Sequence, residues 1–89
     1  VYGIFYTQKQ EIFMEITVFS RPNCNPCAKV KTWLNTKNVR FREVDVTQDL
    51  EGFQMLKTLG YSSVPVISTG SEHWSGIDLT KMKGLVKGE

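Results

Sequence analysis

Long apolar runs are missing from this sequence: no stretch approaches the roughly 20 consecutive apolar residues that a helix needs to cross a bilayer. Charge of one sign is not concentrated either. Eleven Lys and Arg stand against nine Asp and Glu, and the net +2 is spread along the chain. That balance is too even to argue for nucleic acid or an anionic membrane as a partner. Cysteine occurs twice and histidine once. Two thiols are too few for the disulfide framework of a small secreted protein. Two thiols and one imidazole, His73, fall short of the four ligands of a structural zinc site, so no metal is expected. Internal repeats and low-complexity linkers are absent. The start of the sequence has neither the basic residues nor the continuous apolar stretch of a secretory signal, because "YTQKQE" interrupts it. Together these absences lead to the expectation of a cytoplasmic protein in a reducing compartment.

What is present fits one small domain. The 89 residues are 40% apolar and 22% charged, an ordinary globular balance, and the core they can bury is modest. Residues 1–13, "VYGIFYTQKQEIF", fit the later pattern poorly. They read as an extension, natural or added, forming either a loosely attached strand at Ile4–Thr7 or a disordered tail, with Met14 as a natural start. Residues 14–89 are the expected domain.

Within it the pattern is regular. Ile16–Phe19, "ITVF", is β-branched and aromatic, as a short buried strand requires. Ser20–Asn23 is loop chemistry. Pro26 suits the first turn of a helix, where its missing N–H is not needed. That helix is expected to run to about Asn38, with Cys27, Val30 and Leu34 on one face. Arg40–Val46 alternates strictly and reads as a second strand. Thr47 can cap a helix to about Leu59, with Leu50, Phe53, Leu56 or Met55, and Leu59 inward, and Gly60 ends it. Val66–Ser68 after Pro65 is a third strand, and His73–Ser75 a fourth, joined through a turn at Gly70. Ile77–Leu85 carries apolar residues three apart and reads as a last helix. The order β-α-β-α-β-β-α implies a parallel first pair with a right-handed crossover and a terminal hairpin. That is the α/β thioredoxin-like architecture: a four-stranded mixed sheet flanked by three helices.

The chemistry is in "RPNCNPCAKVKTW", Arg21–Trp33, which holds both cysteines. A thiol attacks as its thiolate, so function needs a lowered pKa. A cysteine just before a helix has it, because free N–H groups and the helix dipole favour negative charge there. Cys27, one turn in and on the Val30/Leu34 side, should be shielded. One exposed nucleophile and one shielded resolving thiol is the layout of thiol–disulfide exchange. The rivals are a metal clip, a structural staple and an inert pair. A staple across two residues closes almost no loop and adds little stability. Val64-Pro65 precedes the third strand. Alone, a trans proline opening a strand is the commoner case. Downstream of a CxxC, a cis bond that presents the Val64 backbone to an extended substrate is the expected reading. Arg21, Lys29 and Lys31 read first as a solvated helix face, although Arg21 or Lys29 could support the Cys24 thiolate. Trp33 reads as helix-surface packing. Trp74 is read evenly between packing and partner contact.

CxxC at Cys24–Cys27, "SSVP" at Ser62–Pro65 and Trp74-Ser75-Gly76 together resemble the glutaredoxin-like redoxins, most closely the NrdH-type redoxins, over Met14 to about Leu85. The resemblance implies a dithiol oxidoreductase with Cys24 and Cys27 catalytic, and a partner groove of Val64, Pro65, Trp74, Ser75, Gly76, Ile77 and Asp78. It implies electrons from NADPH through thioredoxin reductase, delivery to class Ib ribonucleotide reductase or another disulfide-containing protein, no bound cofactor, and a monomer. Glutaredoxins proper hold the glutamyl amine of glutathione with two acidic or hydroxyl residues. Here the matching turn is Ser75-Gly76-Ile77-Asp78-Leu79, with one acid and then an apolar residue. Ile77 replaces the family's usual Phe. Val18 stands where thioredoxins often carry a buried acid, so water or substrate would manage that proton. A glutathione-dependent glutaredoxin is the alternative within the class. A non-enzymatic redox-sensing or peptide-binding domain is the alternative outside it.

Overall fold

The computed structural model describes residues 15–86. The expectations for residues 1–13 and for Met14 as a start lie outside them. The elements are β1 (Thr17–Ser20), α1 (Asn25–Thr36), β2 (Arg42–Asp45), α2 (Leu50–Thr58), β3 (Val66–Ser68), β4 (His73–Ser75) and α3 (Leu79–Lys83). The sheet order is β2-β1-β3-β4. β1 runs parallel to β2 and antiparallel to β3, and β3 and β4 form an antiparallel hairpin.

Side chains alternate across this sheet and split the core in two. Val18 and Ile67 point to one face, where they pack with Ile16, Val30, Leu34, Trp74 and Met82 beneath α1 and α3. Phe19 and Val66 point to the other, where they meet Val44 and Leu56 under α2. The expected three-layer arrangement is therefore present.

Several boundaries differ from the sequence reading. The first helix ends at Thr36 rather than near Asn38, because Asn38 adopts the left-handed conformation with φ 60°. β2 spans Arg42–Asp45, not Arg40–Val46. Among the described residues it is an edge strand, and the neighbour it has there, β1, offers four paired positions. α2 is capped by Asp49, whose Oδ1 accepts from Gly52 N–H at 2.9 Å. Thr47 instead donates its hydroxyl and N–H to Asp45 Oδ1 at 2.6 and 2.9 Å.

The inward face of α2 also differs. Leu50, Phe53 and Met55 are exposed at 70%, 43% and 55%, and the buried residues are Gly52 and Leu56. A Cβ at Gly52 would collide with Val44 Cγ1. The helix approaches the sheet at this glycine, and that contact turns Leu50 and Phe53 outward. The last helix covers Leu79–Lys83 rather than Ile77–Leu85, because Asp78 is extended and accepts from Lys81 N–H at 3.2 Å. Met82 is buried, whereas Leu79 remains 49% exposed. No helix among the described residues is long and apolar enough to cross a membrane.

Candidate active site

Strand register brings three segments to one end of the sheet. β1 ends at Ser20, and the loop to Cys24 leaves from there. Phe19 pairs with Val66, the first residue of β3, so Val64-Pro65 enters beside that loop. Val66 pairs in turn with Ser75, so the turn Ser75–Asp78 leaves from the same end.

Asn23 takes φ 59° and swings the chain into α1. Cys24 then occupies the N-cap with extended φ −116° and ψ 105°. Its Sγ accepts from Cys27 N–H at 3.2 Å. An amide that would stabilise a Cys24 thiolate thus already points at the sulfur, and no acid in the first turn opposes it. The two cysteines form a disulfide with Cα atoms 5.2 Å apart. Cys27 is 1% exposed, so it is shielded as expected. Cys24 is more open but only to 9%, less than an exposed nucleophile was expected to be. Helix capping by its own sulfur folds the side chain back over the first turn.

The Val64–Pro65 bond is cis. Pro65 is buried and its carbonyl accepts from Gly76 N–H at 2.9 Å, which locks the Ser75–Asp78 turn against it. Among the described residues no hydrogen bond uses the backbone of half-buried Val64. In the turn itself Ser75 is exposed, Gly76 takes φ 79°, and Ile77 is 46% exposed. Asp78 caps α3. Trp74 lies apart from them: at 6% exposure it is a core side chain, its Nε1 unpartnered among the described residues and its ring 5.9 Å from Lys81 Nζ. It therefore presents little side-chain surface to a partner.

Sequence reasoning missed two polar links. Tyr61 Oη and His73 Nδ1 lie 2.7 Å apart, which fastens the segment before Ser62 to β4. Ser20, buried at the end of β1, donates to Glu43 Oε2 at 2.8 Å, and Lys31 Nζ donates to the same oxygen at 2.6 Å. These donors, Lys31 first and Ser20 second, hold the Glu43 carboxyl below its usual pKa. The Thr47 hydroxyl and then its N–H do the same for Asp45. The hint in sequence was the strict alternation of Arg40–Val46, which puts Glu43 on one strand face with Phe41 and Asp45. Among the described residues no group of three His, Cys, Asp or Glu converges.

The glutaredoxin family model matches residues 16–74. The glutaredoxin-like protein NrdH of Lactococcus lactis subsp. cremoris is 31% identical over 70 residues, 79% of this chain and 97% of that one. The gene 56 protein of Mycobacterium phage L5 is 41% identical over 59 residues, 65% of this chain but 57% of the phage protein's length. The solved NrdH-redoxin of Escherichia coli superposes with a TM-score of 0.75 at 26% identity, covering 81% of this chain and 95% of that one. Sequence and topology agree, and the chain carries its own CxxC pair: it belongs to the glutaredoxin family of thiol–disulfide oxidoreductases, as an NrdH-like redoxin of thioredoxin fold.

Proposed function

We propose that this redoxin reduces disulfides in partner proteins, is recharged by thioredoxin reductase with electrons from NADPH, and donates to ribonucleotide reductase. Cys24 attacks the partner disulfide and forms a mixed disulfide. Cys27 then attacks Cys24 Sγ, the partner leaves with both thiols, and two electrons have passed from the chain, which is left as the Cys24–Cys27 disulfide. No bound cofactor is needed. The reaction belongs in the reducing cytoplasm and needs one copy of the chain.

One observation carries the choice of reductant. In the turn that would meet the glutathione amine, Asp78 already caps α3, and the next residue, Leu79, is apolar. An ammonium laid against Leu79 leaves N–H donors unpaired, at about 1–3 kcal/mol each, or roughly ten- to hundredfold in affinity. An extended protein segment fits better: it can pair with the Val64 backbone, which makes no hydrogen bond among the described residues, and lie against exposed Ile77. The Escherichia coli relative is described as having a thioredoxin-like activity profile, which supports the same choice.

The test is NADPH consumption with a protein disulfide as acceptor, using thioredoxin reductase or glutathione plus glutathione reductase. Turnover with thioredoxin reductase at least tenfold above that with glutathione is expected. Comparable turnover would replace this reading with a glutathione-dependent glutaredoxin.

A further inference from the structure

Three side chains outside the partner groove meet on the α1 side of the sheet. Lys31 stands four residues after Cys27, one turn along the same helix face, where side-chain Cβ atoms are about 5–6 Å apart. Its Nζ donates to Glu43 Oε2, and that oxygen also accepts from Ser20 Oγ. An ion pair between exposed side chains ordinarily counts for little, because both ends wander. Here the Lys31 and Glu43 side chains retain 29% and 43% exposure. The carboxylate oxygen between them, however, is pinned by a hydroxyl whose residue is 1% exposed. Ser20 is the last residue of β1 and leads into the cysteine loop, so the pin sits at the redox end of the sheet.

We propose that Glu43 is a positioning residue for the dithiol: anchored by Ser20, it holds and neutralises the Lys31 ammonium beside the first turns of α1, and so sets how readily the Cys24 thiolate forms. When the disulfide is reduced, the nucleophile must lose a proton to act. An ammonium two turns along the helix from Cys24 favours that loss, and a carboxylate fixed upon it cancels the benefit. The sulfur therefore feels a small difference between two opposed charges. Removing either charge leaves the other uncompensated.

The expected size follows from Coulomb's law. A unit charge roughly 10 Å away, at an effective dielectric between about 20 and 80, moves a thiol pKa by about 0.3–1.2. Apart from Lys31 and Glu43 themselves, the charged neighbours are the same in every variant. Lys31 faces Glu43 from α1 and Ser20 from β1, and Asp45 lies on its own strand. Arg21 and Lys29 are exposed on the cysteine loop and α1. The bonds that lower the Glu43 pKa keep it ionised throughout the range in which a thiol titrates. The inference uses thiol–disulfide exchange at this pair and is independent of which reductase supplies the electrons.

The test is the pH profile of Cys24 alkylation by iodoacetamide in the reduced full chain, with the labelled residue identified by peptide mapping. Glu43→Gln keeps an acceptor for both donors but drops the charge, and should lower the Cys24 pKa. Lys31→Met should raise it. The double variant should return to within about 0.3 of the parent. Urea midpoints are recorded alongside. A pair that merely braces the helix would change those midpoints while leaving the profiles alone. Single variants that shift the pKa in the same direction, or leave it unmoved, overturn the proposal. Opposed shifts that cancel in the double variant establish it, whatever the midpoints do.

Discussion

Gly52→Ala sets two effects of known size against each other. Alanine is favoured over glycine in a helix interior by about 0.8–1.0 kcal/mol, so on propensity alone the change should stabilise α2. The new methyl, however, would run into Val44 Cγ1, and the Asp49 carboxyl carbon would lie 3.3 Å from it. Val44 is 6% exposed and packs among Phe19, Leu56 and Val66, so it has little room to yield. Overpacking of this kind costs about 1–3 kcal/mol. The steric term should win, leaving Gly52→Ala less stable by about 1 kcal/mol. Val44→Ala alone should cost about 1.5 kcal/mol, from roughly two methyl-sized groups lost from the core. In that background the obstacle is gone, and Gly52→Ala should become stabilising by nearly its full propensity gain. The coupling is then about 2 kcal/mol, well outside the range of independent sites. Urea denaturation of the four proteins, with unchanged slope and shifted midpoint, measures it. Alanine at position 52 stabilising the parent, or remaining equally costly after Val44→Ala, would refute the account of why α2 turns as it does.

Asp78→Ala removes the cap of the five-residue helix α3 and should cost about 1 kcal/mol in urea denaturation; an unchanged midpoint would argue against that role. Glu43 and Asp45 have folded pKa values below their ordinary 4.5 and 3.8. Their contribution to stability is therefore complete above those values and is lost as pH falls through the lower, folded ones. Urea midpoints measured downward from pH 5 should decline in the parent. Glu43→Gln should decline less steeply, and equal slopes would contradict the Lys31–Glu43–Ser20 link. Tyr61→Phe should loosen the segment before the Val64–Pro65 turn, seen as faster amide exchange at Ser62 and Ser63, with little effect on α1.

The sequence made the frame legible where one physical signal acted alone. β1 and β3 followed from β-branched runs, β4 from the turn at Gly70, and the buried face of α1 from Cys27, Val30 and Leu34. The reactive Cys24 followed from its place just before the helix that Pro26 opens, and Cys27 from its place one turn in. Elsewhere a competing signal won. Leu50 and Phe53 have the hydropathy of a core face, but Gly52, which has none, makes the contact. Ile77 continues an apolar spacing, but Asp78 is the better cap and starts α3 two residues later. Thr47 could cap a helix, but bonds to Asp45 and leaves the cap to Asp49. Trp74 sits beside Ser75 and Gly76 in sequence, but strand alternation turns it into the core. The Lys31–Glu43 pair joins two elements 12 positions apart and exists only after folding.

The exchange proposed for this redoxin has Cys24 attack and Cys27 resolve. Mass spectrometry of Cys27→Ser after incubation with a disulfide-containing protein tests it most directly. The variant should accumulate one mixed disulfide, mapped to Cys24, while Cys24→Ser accumulates none. An adduct on Cys27 in the Cys24→Ser protein, or none in either variant, would contradict it.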